Sequence, residues 1–208
     1  MMLWKKKQKK KKHWAREILD VIVWALVMVF LARSFVVQAF HIPSGSMEDT
    51  LLVGDFLFVN KFLYGSKIPL TDIRLPGLRE PRPGDIVVFR PSGEKQDYIK
   101  RCVAVEGQTL ELKSGILYRD GERVEENYVK FAYGARPQRE SMRDFGPVTV
   151  PEGEIFLLGD NRDNSKDSRY VGTKNWRDTV QGKAVFIYFS WNLKRNFPRL
   201  DRIGDLIH

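Results

Sequence analysis

Three short stretches hold residue types that can do covalent chemistry: Pro43-Ser44-Gly45-Ser46-Met47-Glu48-Asp49, Tyr98-Ile99-Lys100-Arg101, and a polar run from Gly159 to Tyr170. A serine hydroxyl becomes a nucleophile only when a base takes its proton. Histidine is the usual base, but His13 sits in a basic tail, His208 is the last residue, and only His41 lies near Ser46 in sequence. His41 therefore stays as an alternative, and lysine is the other candidate. Cys102 is the only cysteine, which excludes an internal disulfide and a cysteine-based zinc site, and no His-Glu-x-x-His spacing occurs.

Lys100 falls in an apolar, alternating run from Tyr98 to Val105. As a strand, this run places Tyr98, Lys100, Cys102 and Ala104 on one face and Ile99, Arg101, Val103 and Val105 on the other. A free lysine has a pKa of ~10.4, so about one in 2,500 is neutral at pH ~7, and lowering it to ~8 takes ~3.3 kcal/mol. Arg101 points away from Lys100, so burial has to supply most of that shift. Taken alone, such a lysine reads first as a strand-edge residue that snorkels to solvent.

The run Gly159-Asp160-Asn161-Arg162-Asp163-Asn164-Ser165-Lys166-Asp167-Ser168-Arg169-Tyr170 is rich in side chains that bond to backbone. Asp163, Ser165 and Asp167 alternate as calcium-loop ligands do, but Ser168 stands where glycine is needed and Lys174 where a bidentate acid belongs. A loop pinned by its own hydrogen bonds, with Asp167 paired to Arg169, is the alternative to a functional site. The Gly45-Ser46 pair reads in two ways as well. It is a sharp turn that exposes a hydroxyl beside converging amide hydrogens, or it is an ordinary polar loop.

The elements that must position these residues are legible from pattern and composition. The chain has 208 residues and a formal charge of +9, but Lys5, Lys6, Lys7, Lys9, Lys10, Lys11, Lys12 and Arg16 supply eight positives before any acid appears. The remainder holds 27 basic against 26 acidic residues, which argues against a phosphate-tracking domain and hence against a nucleic-acid partner. Val21 to Ala32 is uninterrupted apolar sequence, and the stretch reaches membrane length when extended from Ile18 to Phe40. The lysines ahead of it put the N-terminus in the cytoplasm. The expected organisation is a basic cytoplasmic tail over 1–16, a transmembrane anchor over 17–40 and a β-rich catalytic domain outside over 41–208. A cleavable secretory signal with Val37-Gln38-Ala39 as its small-residue site is the alternative reading of the same pattern.

Beyond Phe40 the runs Leu51 to Tyr64, Asp85 to Phe89, Tyr98 to Val105, Thr109 to Leu117 and Ala184 to Phe189 are strand-like, punctuated by Pro83-Gly84, Ser92-Gly93, Asp120-Gly121 and Pro151-Glu152-Gly153. This predicts a mainly β, antiparallel domain after a single N-terminal transmembrane helix. The polar stretch from Asn127 to Phe145 reads as a long excursion. Phe56, Phe58, Phe62 and Tyr64 are expected on one strand face, either against lipid or under a second sheet.

In their order, Pro43 to Met47, Gly54-Asp55 with Lys61, Tyr98 to Arg101 and Gly159 to Arg169 resemble the sequence boxes of bacterial type I signal peptidases, also called leader peptidases. The resemblance implies Ser46 as nucleophile and Lys100 as general base. It implies an oxyanion hole from the Ser46 amide and the Ser44 hydroxyl, with Ser165 orienting the lysine and Asp167 with Arg169 bracing the site. It also implies a largely β fold in the bacterial cytoplasmic (inner) membrane, no metal or cofactor, and pre-protein substrates cut after a small residue in an Ala-x-Ala-like context. Two positions depart from that pattern: Glu48-Asp49 replaces an apolar residue and proline, and Gln108 follows Gly107 where aspartate is usual. Rival readings are a self-cleaving repressor-type protease, which should lack the apolar segment, and a membrane-tethered β binding module without catalysis.

Overall fold

The computed structural model describes residues 14–68, 71, 73–131 and 142–208. The lysine cluster and His13 lie outside these residues, as does the centre of the 127–145 excursion.

The first element is α1, Trp14–Leu31, continued by one π-type turn over Ala32–Val36. Its apolar residues run all round the helix and have no core to enter. Ile22, Leu26 and Phe30 are exposed, and the stretch Arg16–Val36 is long and apolar enough to cross a membrane. Extended backbone resumes at Val37, so Val37–His41 (β1) pairs antiparallel with Asp55–Asn60 (β2). The small-residue site Val37-Gln38-Ala39 thus forms part of a paired strand rather than a free linker.

The remaining strands are Ile86–Phe89 (β3), Tyr98–Val105 (β4), Thr109–Lys113 (β5), Ile116–Arg119 (β6), Glu122–Arg123 (β7), Phe145–Thr149 (β8), Glu154–Leu158 (β9), Lys174–Asn175 (β10), Val180–Asn192 (β11) and Phe197–Pro198 (β12). The larger sheet runs β1-β2-β11-β3-β4-β9-β10 with β12 on β11, and the smaller runs β7-β6-β5-β8. Every named pairing is antiparallel, as the short turn-punctuated strands predict. Two short helices, Ser168–Val171 (α2) and Trp176–Thr179 (α3), flank β10.

Alternation decides which way β2 faces. Leu57 and Val59 turn inward to join Ile42, Met47, Leu51, Ile86, Val88, Ile99, Ala184 and Ile187 in the core beneath the serine loop. Phe56 and Phe58 turn outward, half-buried, and pack on Phe186, Tyr188 and Phe189 of β11. The expected four-aromatic face is not formed, because the strand ends at Asn60. Phe62–Tyr64 is a single 3-10 turn that leaves Phe62 exposed and buries Tyr64, whose hydroxyl donates to Asp85 Oδ2 at 2.8 Å.

The run from Thr109 to Leu117 also differs from a single strand. Ser114 and Gly115 have φ of 50° and 83°, a left-handed pair that folds the run into the β5–β6 hairpin. Gln108 has a local role here: its side-chain oxygen accepts from the Val105 amide at 3.0 Å and closes the β4–β5 turn.

Candidate active site

Ser46 sits in the loop between β1 and β2. The next residue, Met47, and Leu51 are fully buried, and the Leu51 amide donates to the Met47 carbonyl at 2.7 Å, so the loop is rooted in the core. Asn161 grips the loop from outside it. Its backbone amide donates to the Ser46 carbonyl at 3.1 Å and its side-chain amide to the Gly45 carbonyl at 3.0 Å. Both carbonyls are thereby turned toward Asn161, while the Ser46 N–H enters no backbone hydrogen bond among the described residues.

Lys100 projects from β4, which lies inside the large sheet between β3 and β9. Its Nζ is 2.7 Å from Ser46 Oγ and 2.9 Å from the Ile99 carbonyl. The two residues are 3 % and 8 % exposed, so the pair is shut off from bulk water. Burial pulls the Lys100 pKa down to about 8, against the opposing charges of Asp167 and Asp160. Desolvation is the largest cause, as expected for a lysine whose neighbouring arginine points elsewhere.

Asp167 and Arg169 form a fully buried two-point pair, Nε to Oδ1 and Nη2 to Oδ2, both at 2.8 Å. The same carboxylate caps α2 and accepts from the Gly159 amide at 3.1 Å. Arg169 continues to the Arg162 carbonyl at 2.7 Å, which fixes the loop before α2.

Ser165 is buried where its segment meets that of Ser46 at Gly159. A β-carbon placed on Gly159 would lie 2.2 Å from Ser165 Oγ and 2.6 Å from the Ser46 carbonyl oxygen, so the bare glycine is what lets the two segments meet. Among the described residues the Ser165 hydroxyl has no hydrogen-bond partner, and it makes no bond to Lys100. Two of the three donors of the Lys100 ammonium are in use. Ser44 is exposed, two residues before Ser46. His41 packs against Phe56 with its ring tilted by 44° and the centres 4.8 Å apart, on the outer aromatic face, and forms no hydrogen bond to Ser46.

Arg101, Asp160 and Arg162 stood inside the motifs without an assigned part, and their partners Thr50, Glu126 and Tyr128 stood outside them. Arg101 holds Asp160 through two buried bonds of 2.9 and 2.7 Å, Thr50 donates to the same carboxylate at 2.6 Å, and the Tyr128 ring lies 3.7 Å from the guanidinium. Arg162 pairs with Glu126 at 2.5 Å. Lys130 bridges to Asn161 by backbone and meets Asp49 at 2.9 Å and Glu48 at 3.9 Å. The two unusual acids after Met47 are therefore answered by a lysine from the excursion. The signal in the sequence was charge in core-like surroundings: an arginine within an apolar strand requires a buried acid.

Beside the serine loop a cleft of about 400 Å³ runs along Phe40 to Pro43, Val88 and Gln96 to Ile99. The arrangement sets a serine hydroxyl against a lysine amine of lowered pKa, beside a free backbone amide and an adjoining groove, and such a set can carry acyl transfer.

The family model described as signal peptidase, peptidase S26, matches residues 15–191. Signal peptidase I of Pseudomonas aeruginosa is 37% identical over 221 residues, spanning 88% of this chain and 76% of that protein. Signal peptidase I P of Bacillus subtilis subsp. natto is 35% identical over 188 residues, spanning 88% of this chain and 94% of that protein. A crystal structure of a signal peptidase I from Enterococcus faecalis V583 has 32% identity, covers 50% of this chain and 97% of that one, and has a TM-score of 0.42. The matched region holds the serine loop, the lysine strand and the Asp167 segment alike, and the chain belongs to the signal peptidase family of peptidases, S26.

Proposed function

We propose that this chain removes N-terminal signal peptides from exported pre-proteins by acyl transfer through Ser46 and Lys100. The observation that carries the reading is the 2.7 Å contact between a buried lysine amine and the serine hydroxyl. Neutral Lys100 takes the Ser46 proton as Oγ bonds to the scissile carbonyl carbon. The carbonyl oxygen becomes an oxyanion held by the Ser46 N–H and the Ser44 hydroxyl. The Lys100 ammonium then protonates the departing amine of the mature chain, leaving an ester on Ser46. Water gives a proton to Lys100 as it attacks that ester, and the Lys100 ammonium passes the proton to Ser46 Oγ as the ester bond breaks, releasing the signal peptide and restoring both groups.

Ser165 fills the third bonding direction of the Lys100 amine when substrate closes the site, and Asp167 with Arg169 holds the Ser165 loop in place. The cleft along β1 and the start of β4 takes an extended segment with small side chains near the cut.

The tail over 1–16 remains in the cytoplasm, 17–40 holds the chain in the bacterial cytoplasmic membrane, and 41–208 works outside. Support comes from the apolar helix and the lysines before it. Retention of the anchor is favoured because cutting after Ala39 would sever a strand paired with β2. The half-exposed aromatics Phe56, Phe58 and Tyr188 would rest against lipid.

A pre-protein cleavage assay on the full chain tests this. Wild type should release the mature protein, while Ser46→Ala and Lys100→Ala should each lose activity by several orders of magnitude. Cleavage by Ser46→Ala at the wild-type rate would reject the nucleophile.

A further inference from the structure

A second cavity, of about 340 Å³, contains none of the residues assigned to catalysis; its charged lining is Lys61, Lys67, Arg74, Arg90, Glu94 and Asp178. It is stitched to the end of the apolar helix. The Lys61 amide donates to the Val36 carbonyl at 2.9 Å, its ammonium to the Arg33 carbonyl at 3.4 Å, and the Ser66 hydroxyl to the Phe35 carbonyl at 2.5 Å.

The cations in it differ in how they are answered. Arg90 is committed to Asp97 through two bonds of 2.8 and 2.9 Å. Lys61, Lys67 and Arg74 have no carboxylate within ion-pair distance among the described residues. They bond to main-chain carbonyls instead: Lys67 to Asp178 at 2.5 Å, and Arg74 to Arg177 at 2.7 Å, Gly65 at 2.6 Å and Val180. Carbonyls orient a cation without neutralising it. The carboxylates bordering the cavity, Glu94 and Asp178, belong to exposed residues, whereas Lys61 and Arg74 are half-buried. Burial, and then the charge of Arg74, lowers the Lys61 pKa, and burial lowers that of Arg74 against the pull of Asp178, so these two cations are partly stripped of water. An anion in the cavity relieves both costs.

We propose that this cavity binds the phosphate of an anionic phospholipid head group. Position selects a lipid over a soluble anion: the cavity adjoins the turn where a membrane-crossing helix emerges, the level at which a bilayer presents its phosphates. The inference rests on that crossing, and the test separates the two.

The full-length protein is reconstituted into nanodiscs of phosphatidylcholine with and without phosphatidylglycerol, extracted, and examined by native mass spectrometry for retained lipid. The lysine tail also attracts anionic lipid, so the comparison runs on a background with Lys5 to Lys12 replaced by glutamine. That protein should retain phosphatidylglycerol in preference to phosphatidylcholine. Lys61→Gln with Lys67→Gln should reduce the retention roughly tenfold or more, and Lys61→Arg with Lys67→Arg should restore it. Equal retention by the glutamine and parent proteins overturns the site, while loss of the lipid to millimolar inorganic phosphate overturns the lipid assignment. Failure to enter either nanodisc overturns the membrane crossing, and the site with it.

Discussion

Arg101 holds Asp160 through two hydrogen bonds, of 2.9 and 2.7 Å, one residue along β4 from Lys100. Asp167 is held in the same two-point way by Arg169. These carboxylates are the two whose charge favours protonated Lys100. Each is matched by its own guanidinium at close range, so their pull on the lysine is weakened and burial prevails. The two pairs thus limit how far these carboxylates raise the Lys100 pKa.

Replacing Arg101 tests this. Arg101→Met leaves Asp160 buried without its cation, which should cost about 3 to 5 kcal/mol in denaturant unfolding. In the protein that remains folded, the unopposed carboxylate should raise the Lys100 pKa and move the acid limb of the pH–rate profile upward. A limb that stays in place would show that Asp160 does not act on the lysine.

Burying Lys100 should lower stability, with a defined pH window. Its folded value of about 8 lies below the ordinary 10.5. Below pH 8 the residue is protonated in both states and the whole penalty is present. Between 8 and 10.5 only the unfolded chain holds the proton, so stability rises with pH, and above 10.5 the penalty is gone. Lys100→Met, inactive, should be more stable than wild type at pH 7 by about 1 to 3 kcal/mol after allowing for two lost hydrogen bonds. Urea melts at pH 7 and pH 10 should show that advantage shrinking.

Gly159→Ala should damage the site without touching a reacting group. The added carbon would lie 2.6 Å from the Ser46 carbonyl oxygen and 2.2 Å from Ser165 Oγ. The backbone must shift, costing about 1 to 3 kcal/mol, and a displaced nucleophile should lower turnover about 100-fold. Wild-type kinetics in this variant would mean the contact is not needed.

That Ser46 and Lys100 meet, and that Asp167 pairs with Arg169, could be expected from the sequence because these residues sit in short motifs with local geometry. Asp167 and Arg169 are two residues apart, and the Tyr98 to Val105 strand was legible from its β-branched and aromatic residues between turn signals, though a bulge between Cys102 and Ala104 breaks the expected strict alternation. Arg101 with Asp160 and Arg162 with Glu126 were not legible as pairs, since their partners are 59 and 36 residues away. The Thr109 to Leu117 run looked continuous because Leu112, Lys113 and Ile116 keep strand character across a turn set only by Ser114-Gly115. Phe62 and Tyr64 kept the alternation after the strand itself had ended.

Glu48-Asp49, which departs from the resembled motif, carries at its second position a backbone conformation that excludes proline. Asp49 has φ of 81°, which proline, fixed near −65°, cannot adopt. Asp49→Pro should therefore destabilise the chain by more than about 1 kcal/mol and impair cleavage, even though it restores the commoner residue. Thermal unfolding and turnover measured together check this, and an unchanged melting temperature would count against the left-handed turn.

The neutral amine at the centre of the mechanism can be observed directly. Carbon-13 labelling of the lysine side chains in the full chain, with Lys100→Met to assign the resonance, allows its titration to be followed by NMR. The Lys100 signal should titrate near pH 8, in step with the rise in turnover. Titration near the ordinary 10.5, with turnover still rising near pH 8, would contradict Lys100 as the base that activates Ser46.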